Sequence, residues 1–250
     1  MNSIETENLF FSRSKHTTPN IREKPNNENY KLPMPTHCLG DKKYCAKEYA
    51  GLMSMSNKNL NENHRYLYKN KIDMEELAKE LGIGKKTLQK NINKLIKLEY
   101  NILEVKNTDV GVVYKLNYGE KKNNSEYTKY VTIHHQILKV LANTFNSNTI
   151  KLYCLLNYMT DETSFKPMTN VWLAEQIGLS SKSKNNLDVI TDIATQLELC
   201  GFIETRKENI YKWDNKKKRE VPQISKSYRL RTLKEWEFLQ KRVKNKKVIN

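Results

Sequence analysis

The segment DMEELAKELGIGKKTLQKNINKLIKL, Asp73 to Leu98, holds two helical patterns divided by two glycines. Asp73 suits a helix N-cap, and Glu76 follows three residues later, the spacing of a capping box. Leu77, Ala78 and Leu81 share the inner side of the first pattern. Gly82 and Gly84 end it and turn the chain, because glycine takes positive φ at little cost. In the second pattern Leu88, Ile92, Leu95 and Ile96 recur at i, i+4, i+7 and i+8, the period of a helix with one buried face. Its other face carries Lys86, Gln89, Lys90, Asn93 and Lys97, which are long cations and amides with no acid among them. Two short helices about a tight glycine turn form a helix-turn-helix, whose second helix commonly reads DNA.

The chemistry of that second face suits a major groove. Gln89 and Asn93 can pair bidentately with adenine, and Lys86 and Lys90 can donate to guanine acceptors. Each good bidentate pair discriminates by about 1–3 kcal/mol. Lys85 opens the helix, and Lys94 and Lys97 sit where phosphates would lie. A solvated, lysine-rich surface helix would have the same composition, and it is the flanking signals that favour DNA. Downstream, Ile102–Lys106 and Val112–Leu116 read as strands around NTDVG, a hairpin directly after the second helix.

Upstream, Cys45, Tyr49, Leu52 and Met53 predict a further helix, and RYLYKNK (Arg65 to Lys71) a short strand. Residues 1–41 hold Pro19, Pro25, Pro33 and Pro35 among many asparagines and are read as a flexible arm. Residues 42–118 are read as a first domain and 119–129, GEKKNNSEYTK, as a polar linker. Beyond it Ile137, Leu138, Leu141, Ala142 and Phe145 make one helical face. NTIKLYCLLNYM, Asn148 to Met159, is apolar nearly all round and predicts a buried central helix.

An internal repeat follows. LAKELGIGKK from Leu77 and LAEQIGLSSK from Leu173 match at Leu, Ala, Gly and the last Lys with a constant offset of 96. NILE from Asn101 and GFIE from Gly201 align at an offset of 100, each leaving a helix through a residue tolerant of left-handed backbone. The second domain is placed at 130–232. Its reader helix, about 183–200, buries Leu187, Ile190, Ile193 and Leu197 and exposes Asp188, Thr191, Asp192 and Thr195. The two acids would repel phosphates, so the helix either touches DNA by its N-terminal end, near Lys182, Lys184 and Asn185, or serves in packing or dimerisation. The second hairpin has the tip DNKKKRE, where Lys216, Lys217, Lys218 and Arg219 offer a route to phosphate or minor groove. Residues 233–250 read as a basic C-terminal helix or tail.

The chain has 250 residues, with 44 Lys+Arg against 28 Asp+Glu, a formal charge of +16. Such a surplus speaks for an anionic partner, nucleic acid before membrane. Cys38, Cys45, Cys154 and Cys200 lack C-x-x-C spacing, and His37, Cys38 and Cys45 find no second ligand pair, so no metal or other cofactor is expected. No phosphate-binding glycine loop or G-x-S-x-G elbow is present, and His134-His135 lacks His-x-His spacing, so no catalytic residues are assigned. No apolar run approaches the roughly 20 residues of a membrane span, and the start lacks a signal-peptide pattern, which places the expectation in the cytoplasm.

LAEQIGLS and ELCGFIE are similar to the winged-helix motif, in which a small residue, a turn glycine and a helix-ending glycine frame the reader helix. The order VTIHHQILKVLANTF, NTIKLYCLLNYM, NVWLAEQIGLS, GFIE resembles the N-terminal winged helix of phage replisome organisers and Firmicute plasmid replication proteins, with Leu152, Tyr153, Leu155 and Leu156 matching an LY-x-LL helix. The resemblance spans roughly residues 42–231. It implies an α+β, mainly helical chain of two winged helix-turn-helix domains in tandem, binding double-stranded DNA at a plasmid or phage replication origin without catalysis. A transcriptional regulator and an accessory scaffold for partition or conjugation are the alternatives. A homodimer and replication or segregation proteins are the further partners this reading admits.

Overall fold

The computed structural model describes residues 30–58, 64–108, 111–121, 127–214 and 218–248. These fall into two compact units, one of residues 30–38 with 43–147 and one of residues 39–42 with 148–248.

In the first unit, helix α1 (Ala46–Met55) is the inner element, with Tyr49, Ala50, Leu52 and Met53 fully buried. A side chain at Gly51 would meet the Leu81 methyl carbons at 3.1 Å, so that glycine lets the following helices pack close. Strands β1 (Lys31–Pro35), β2 (Asn57–Lys58), β3 (His64–Tyr68), β4 (Leu103–Thr108) and β5 (Gly111–Asn117) supply most of its sheet. β2, β3, β5 and β4 form a four-stranded antiparallel sheet in that order. Buried Arg65 on β3 donates to Ser56 Oγ at 2.7 Å, to the Ser56 carbonyl at 2.6 Å and to Tyr30 Oη, so neutral oxygens satisfy its guanidinium. Helices α2 (Met74–Glu80) and α3 (Lys85–Ile96) lie between β3 and β4 in sequence. Strand β6 (Glu120–Lys121) pairs with β7 (Tyr127–Thr128), and β8 (Tyr130–His134) leads into α4 (His135–Thr144).

β1 pairs antiparallel with β8, from Lys31↔His134 to Pro35↔Tyr130. Residues 31–35 are therefore a strand, buried in all but its first residue, and not part of an arm. The register explains how it accommodates two prolines. The Tyr30 carbonyl accepts from His135 N at 3.0 Å and Thr36 N donates to the Lys129 carbonyl at 2.8 Å, so even-numbered residues face β8. Pro33 and Pro35 turn their missing donors outward, where a strand tolerates proline. This pairing also holds residues 130–147 in the first unit, whereas the sequence reading groups them with the second.

The second unit is built on α5 (Ser147–Met159), in which every residue from Thr149 to Leu156 is buried. The buried Lys151 Nζ donates to the Asp41 carbonyl at 2.7 Å, tying residues 39–42 to this helix. After the short strand β9 (Lys166–Pro167) come α6 (Asn170–Gln176), α7 (Lys184–Leu199), the twelve-residue strands β10 (Ile203–Asp214) and β11 (Arg219–Leu230), and α8 (Leu233–Val248). β11 is the central strand of a three-stranded sheet, flanked by β10 and β9. Trp236 of α8 stacks on Phe202, ring centroids 5.8 Å apart, and Phe202 meets Tyr153 of α5 edge-on at 5.9 Å.

The expected fold class needs correction. Among the described residues helix takes 46% and strand 27%, and the first unit carries a curled four-stranded antiparallel sheet. The chain is α+β, but it is not mainly helical, and a tandem pair of winged helices does not describe it. The strands absent from the sequence reading are short and lack the usual signals. β1 was masked by its prolines, β6 and β7 fall in the supposed linker, and β2 has two residues.

The internal repeat has a physical counterpart. After α2, Ile83 N donates to the Ala78 carbonyl at 3.0 Å and Gly82 N to the Lys79 carbonyl at 3.0 Å, with Gly82 at φ +63°. After α6, Leu179 N donates to the Ala174 carbonyl at 2.9 Å and Gly178 N to the Glu175 carbonyl at 3.1 Å, with Gly178 at φ +82°. Both are Schellman stops, 96 residues apart. Asn101 (φ +48°) and Gly201 (φ +77°) adopt left-handed backbone at the corresponding later exits.

Candidate nucleic-acid interface

Local signals set the position of α3. Asp73 caps α2, its carboxylate accepting from Glu75 N at 2.8 Å and Glu76 N at 3.1 Å. Those donors, Glu76 first, hold its carboxyl below the usual range. The Gly82 stop then releases the chain, and α3 starts after an extended residue, Gly84 (ψ 145°). Leu88, Ile92 and Leu95 are buried beneath it. Asn91 adds a polar anchor that sequence reasoning missed: its Nδ2 donates to Glu48 Oε1 of α1 at 2.7 Å. Its signal was its own position, since an amide on the boundary of the apolar stripe faces a neighbouring helix.

With that face fixed, Lys86, Gln89, Lys90, Asn93, Lys94 and Lys97 are all exposed and together line a shallow concavity of about 460 Å³. Their spacing is i, i+3, i+4, i+7, i+8 and i+11, a single stripe along the helix. At 1.5 Å per residue it runs about 16 Å. None of the four lysines forms an ion pair with a described residue. Lys85 differs. Its Nζ lies 2.6 Å from Glu75 Oε1, and that hydrogen bond and charge raise its ammonium above the ordinary lysine range. Lys85 therefore closes the turn between α2 and α3, and the stripe starts at Lys86.

The other sequence-predicted residues are more scattered. Lys182, Lys184 and Asn185 are exposed at the start of α7, where Asn186 Nδ2 donates to the Ser180 carbonyl at 3.0 Å. Ile190, Ile193 and Leu197 are buried, while Leu187 is only half-buried. Asp188, Thr191, Asp192 and Thr195 are exposed, so α7 presents acids where α3 presents lysines. At the hairpin, Lys218 (φ +48°) and Arg219 are exposed, and Lys216 and Lys217 lie outside the described residues. The lysine stripe thus gathers six of the predicted residues on one element, Lys85 precedes it on the same helix, and the remaining described ones belong to the second unit.

Among the described residues no helix is long and apolar enough to cross a membrane. No protein-family model matches the chain, and no curated protein matches it.

Proposed function

We propose that this protein binds double-stranded DNA sequence-specifically and marks the replication origin of a plasmid or phage, in the cytoplasm and without a catalytic step of its own. The observation that carries the reading is the exposed α3 stripe, with amides Gln89 and Asn93 flanked by four lysines free of ion pairs with the described residues. A 12-residue helix, about 18 Å long, fits a groove about 12 Å wide. In this reading Gln89 and Asn93, one turn apart, address base edges beside Lys86 and Lys90. Lys94 and Lys97 neutralise phosphates, releasing condensed counterions and setting the salt dependence. Lys85 and Glu75 fix the angle at which the helix is presented. The formal charge of +16 supplies sequence-independent attraction to DNA. The resemblance of residues 131–204 to replication proteins supports the choice of an origin as the target.

Footprinting across the native replicon tests this proposal. Repeated protected sites at the origin are the expected result. One site over a promoter would make the protein a regulator, and one at a segregation locus a partition factor. Strand breaks within the protected region would make it an enzyme. No protection anywhere would remove the DNA-binding reading itself.

A further inference from the structure

The β10–β11 ribbon of the second unit carries an exposed apolar strip on one face, beyond the core. At its base that face is buried, with Ile203 opposite Leu230 and Tyr228 beside them. Farther out the same face presents Lys207 opposite Lys226, Asn209 opposite Ile224, Tyr211 opposite Pro222, and Trp213 opposite Glu220. A solvated ribbon would stay polar beyond the Lys207–Lys226 pair. Here Tyr211 is 68% exposed, Trp213 63% and Ile224 70%, forming one continuous strip. Its surroundings are basic: residues 206–226 hold eight Lys or Arg against three acids. Of those acids, Glu208 is engaged by Arg206 and by the Ser227 hydroxyl.

We infer that this ribbon face binds single-stranded DNA, with Tyr211 and Trp213 each stacking one unpaired base and Lys207 and Lys226 lying along the phosphates. Residues two apart on a strand are about 6.8 Å apart. That spacing suits bases of an extended, unstacked strand, each laid on its own ring. Flat aromatic platforms beside a cationic track are the means by which single strands are held without sequence preference. Addition of a protein strand along the β11 edge beyond β9 is disfavoured. Arg231 N donates to the Phe202 carbonyl, so odd-numbered β11 residues face β10 and Pro222 turns its missing donor to the open edge. The inference deepens the DNA-binding reading but stands on different residues in the other unit, so either can fail without the other.

The test uses the full chain with fluorescein-labelled dT20, rU20 and a 20-base-pair duplex of random sequence. Tyr211→Ala and Trp213→Ala should each weaken dT20 binding roughly 5- to 150-fold, the range for loss of one base–aromatic stack. Duplex binding should stay within twofold, and far-UV circular dichroism should be unchanged because both rings are exposed. Trp213→Phe keeps a stacking ring, so it should retain most affinity while losing the fluorescence quench that dT20 causes. Equal dT20 affinity in parent and double variant would overturn the inference, as would equal loss on duplex and single strand. Preference for rU20 over dT20 would assign the site to RNA and overturn it. So would a parent that ignores dT20 but self-associates, or binds anionic vesicles, through Tyr211 and Trp213.

Discussion

The two Schellman stops share their hydrogen bonds but not their surroundings, and a matched substitution should separate them. Gly82 has φ +63° and no atom within 4 Å of the position a Cβ would take. Gly82→Ala therefore pays only for left-handed backbone, about 1–2 kcal/mol. At Gly178, φ is +82° and a Cβ would fall 2.3 Å from the Gly40 carbonyl oxygen and 3.0 Å from its carbon. Even a favourable carbon–oxygen contact keeps about 3.3 Å, so residues 39–42 must retreat by roughly 1 Å. That segment is held by Lys151 at the Asp41 carbonyl and by Leu39, which is 3% exposed. Adding an overpacking cost of about 1–3 kcal/mol brings Gly178→Ala to roughly 2–5 kcal/mol. Asparagine tolerates left-handed backbone, so Gly82→Asn should recover most of the loss, whereas Gly178→Asn still carries the offending Cβ. Native-state hydrogen exchange, read from the slowest amides of each unit, measures both losses separately. Equal losses at the two glycines, or full recovery with Gly178→Asn, would refute the close approach of Gly40 to Gly178.

Other expectations follow from named contacts. Lys94 and Lys97 changed together to Ala should lower the slope of log affinity against log salt by up to about 1.8 on duplex DNA, 0.9 for each lost phosphate contact. Parallel lines for parent and variant would place the DNA contacts elsewhere. Asn91→Leu should cost about 1–3 kcal/mol in urea melts, because Glu48, 3% exposed and with Oε2 already unpartnered, loses its only described donor at Oε1. Acidification should fray α2. Asp73 is held below its unfolded value, so its contribution is full above that value and is lost as pH falls through the folded one. The amide shifts of Glu75 and Glu76 should titrate with it, and Asp73→Asn, which caps without titrating, should abolish the effect. Burial pushes the Cys154 thiol up to about 12. Iodoacetamide at pH 8 should therefore modify it only in denaturant, as peptide mass spectrometry would show.

Elements specified by neighbours in sequence were legible. The Asp73 cap, the Gly82 stop and the apolar stripe of α3 each need only a few adjacent residues, and the repeat at Gly178 reproduces the stop bond for bond. The α3 stripe could be read for the same reason, since burial of Leu88, Ile92 and Leu95 determines what the opposite side must expose. Long-range pairing was not legible. KLPMP becomes a strand only because β8 arrives about 100 residues later in a register that turns both prolines outward. The Lys85–Glu75 pair spans a turn whose angle the sequence leaves open, so Lys85 read as one more groove lysine. Tyr211, Trp213 and Ile224 looked like ordinary strand residues, because alternation says which residues share a face but not where the core ends.

The central claim is that α3 reads base edges, and a competition gel shift with Gln89→Ala/Asn93→Ala measures it most directly. The parent and the double variant are titrated on a footprinted site against a random duplex at fixed salt. Two lost bidentate pairs should cut discrimination by about 1–3 kcal/mol each, while binding to the random duplex changes less than twofold. Full discrimination retained in the double variant would contradict the claim and remove α3 as the reader.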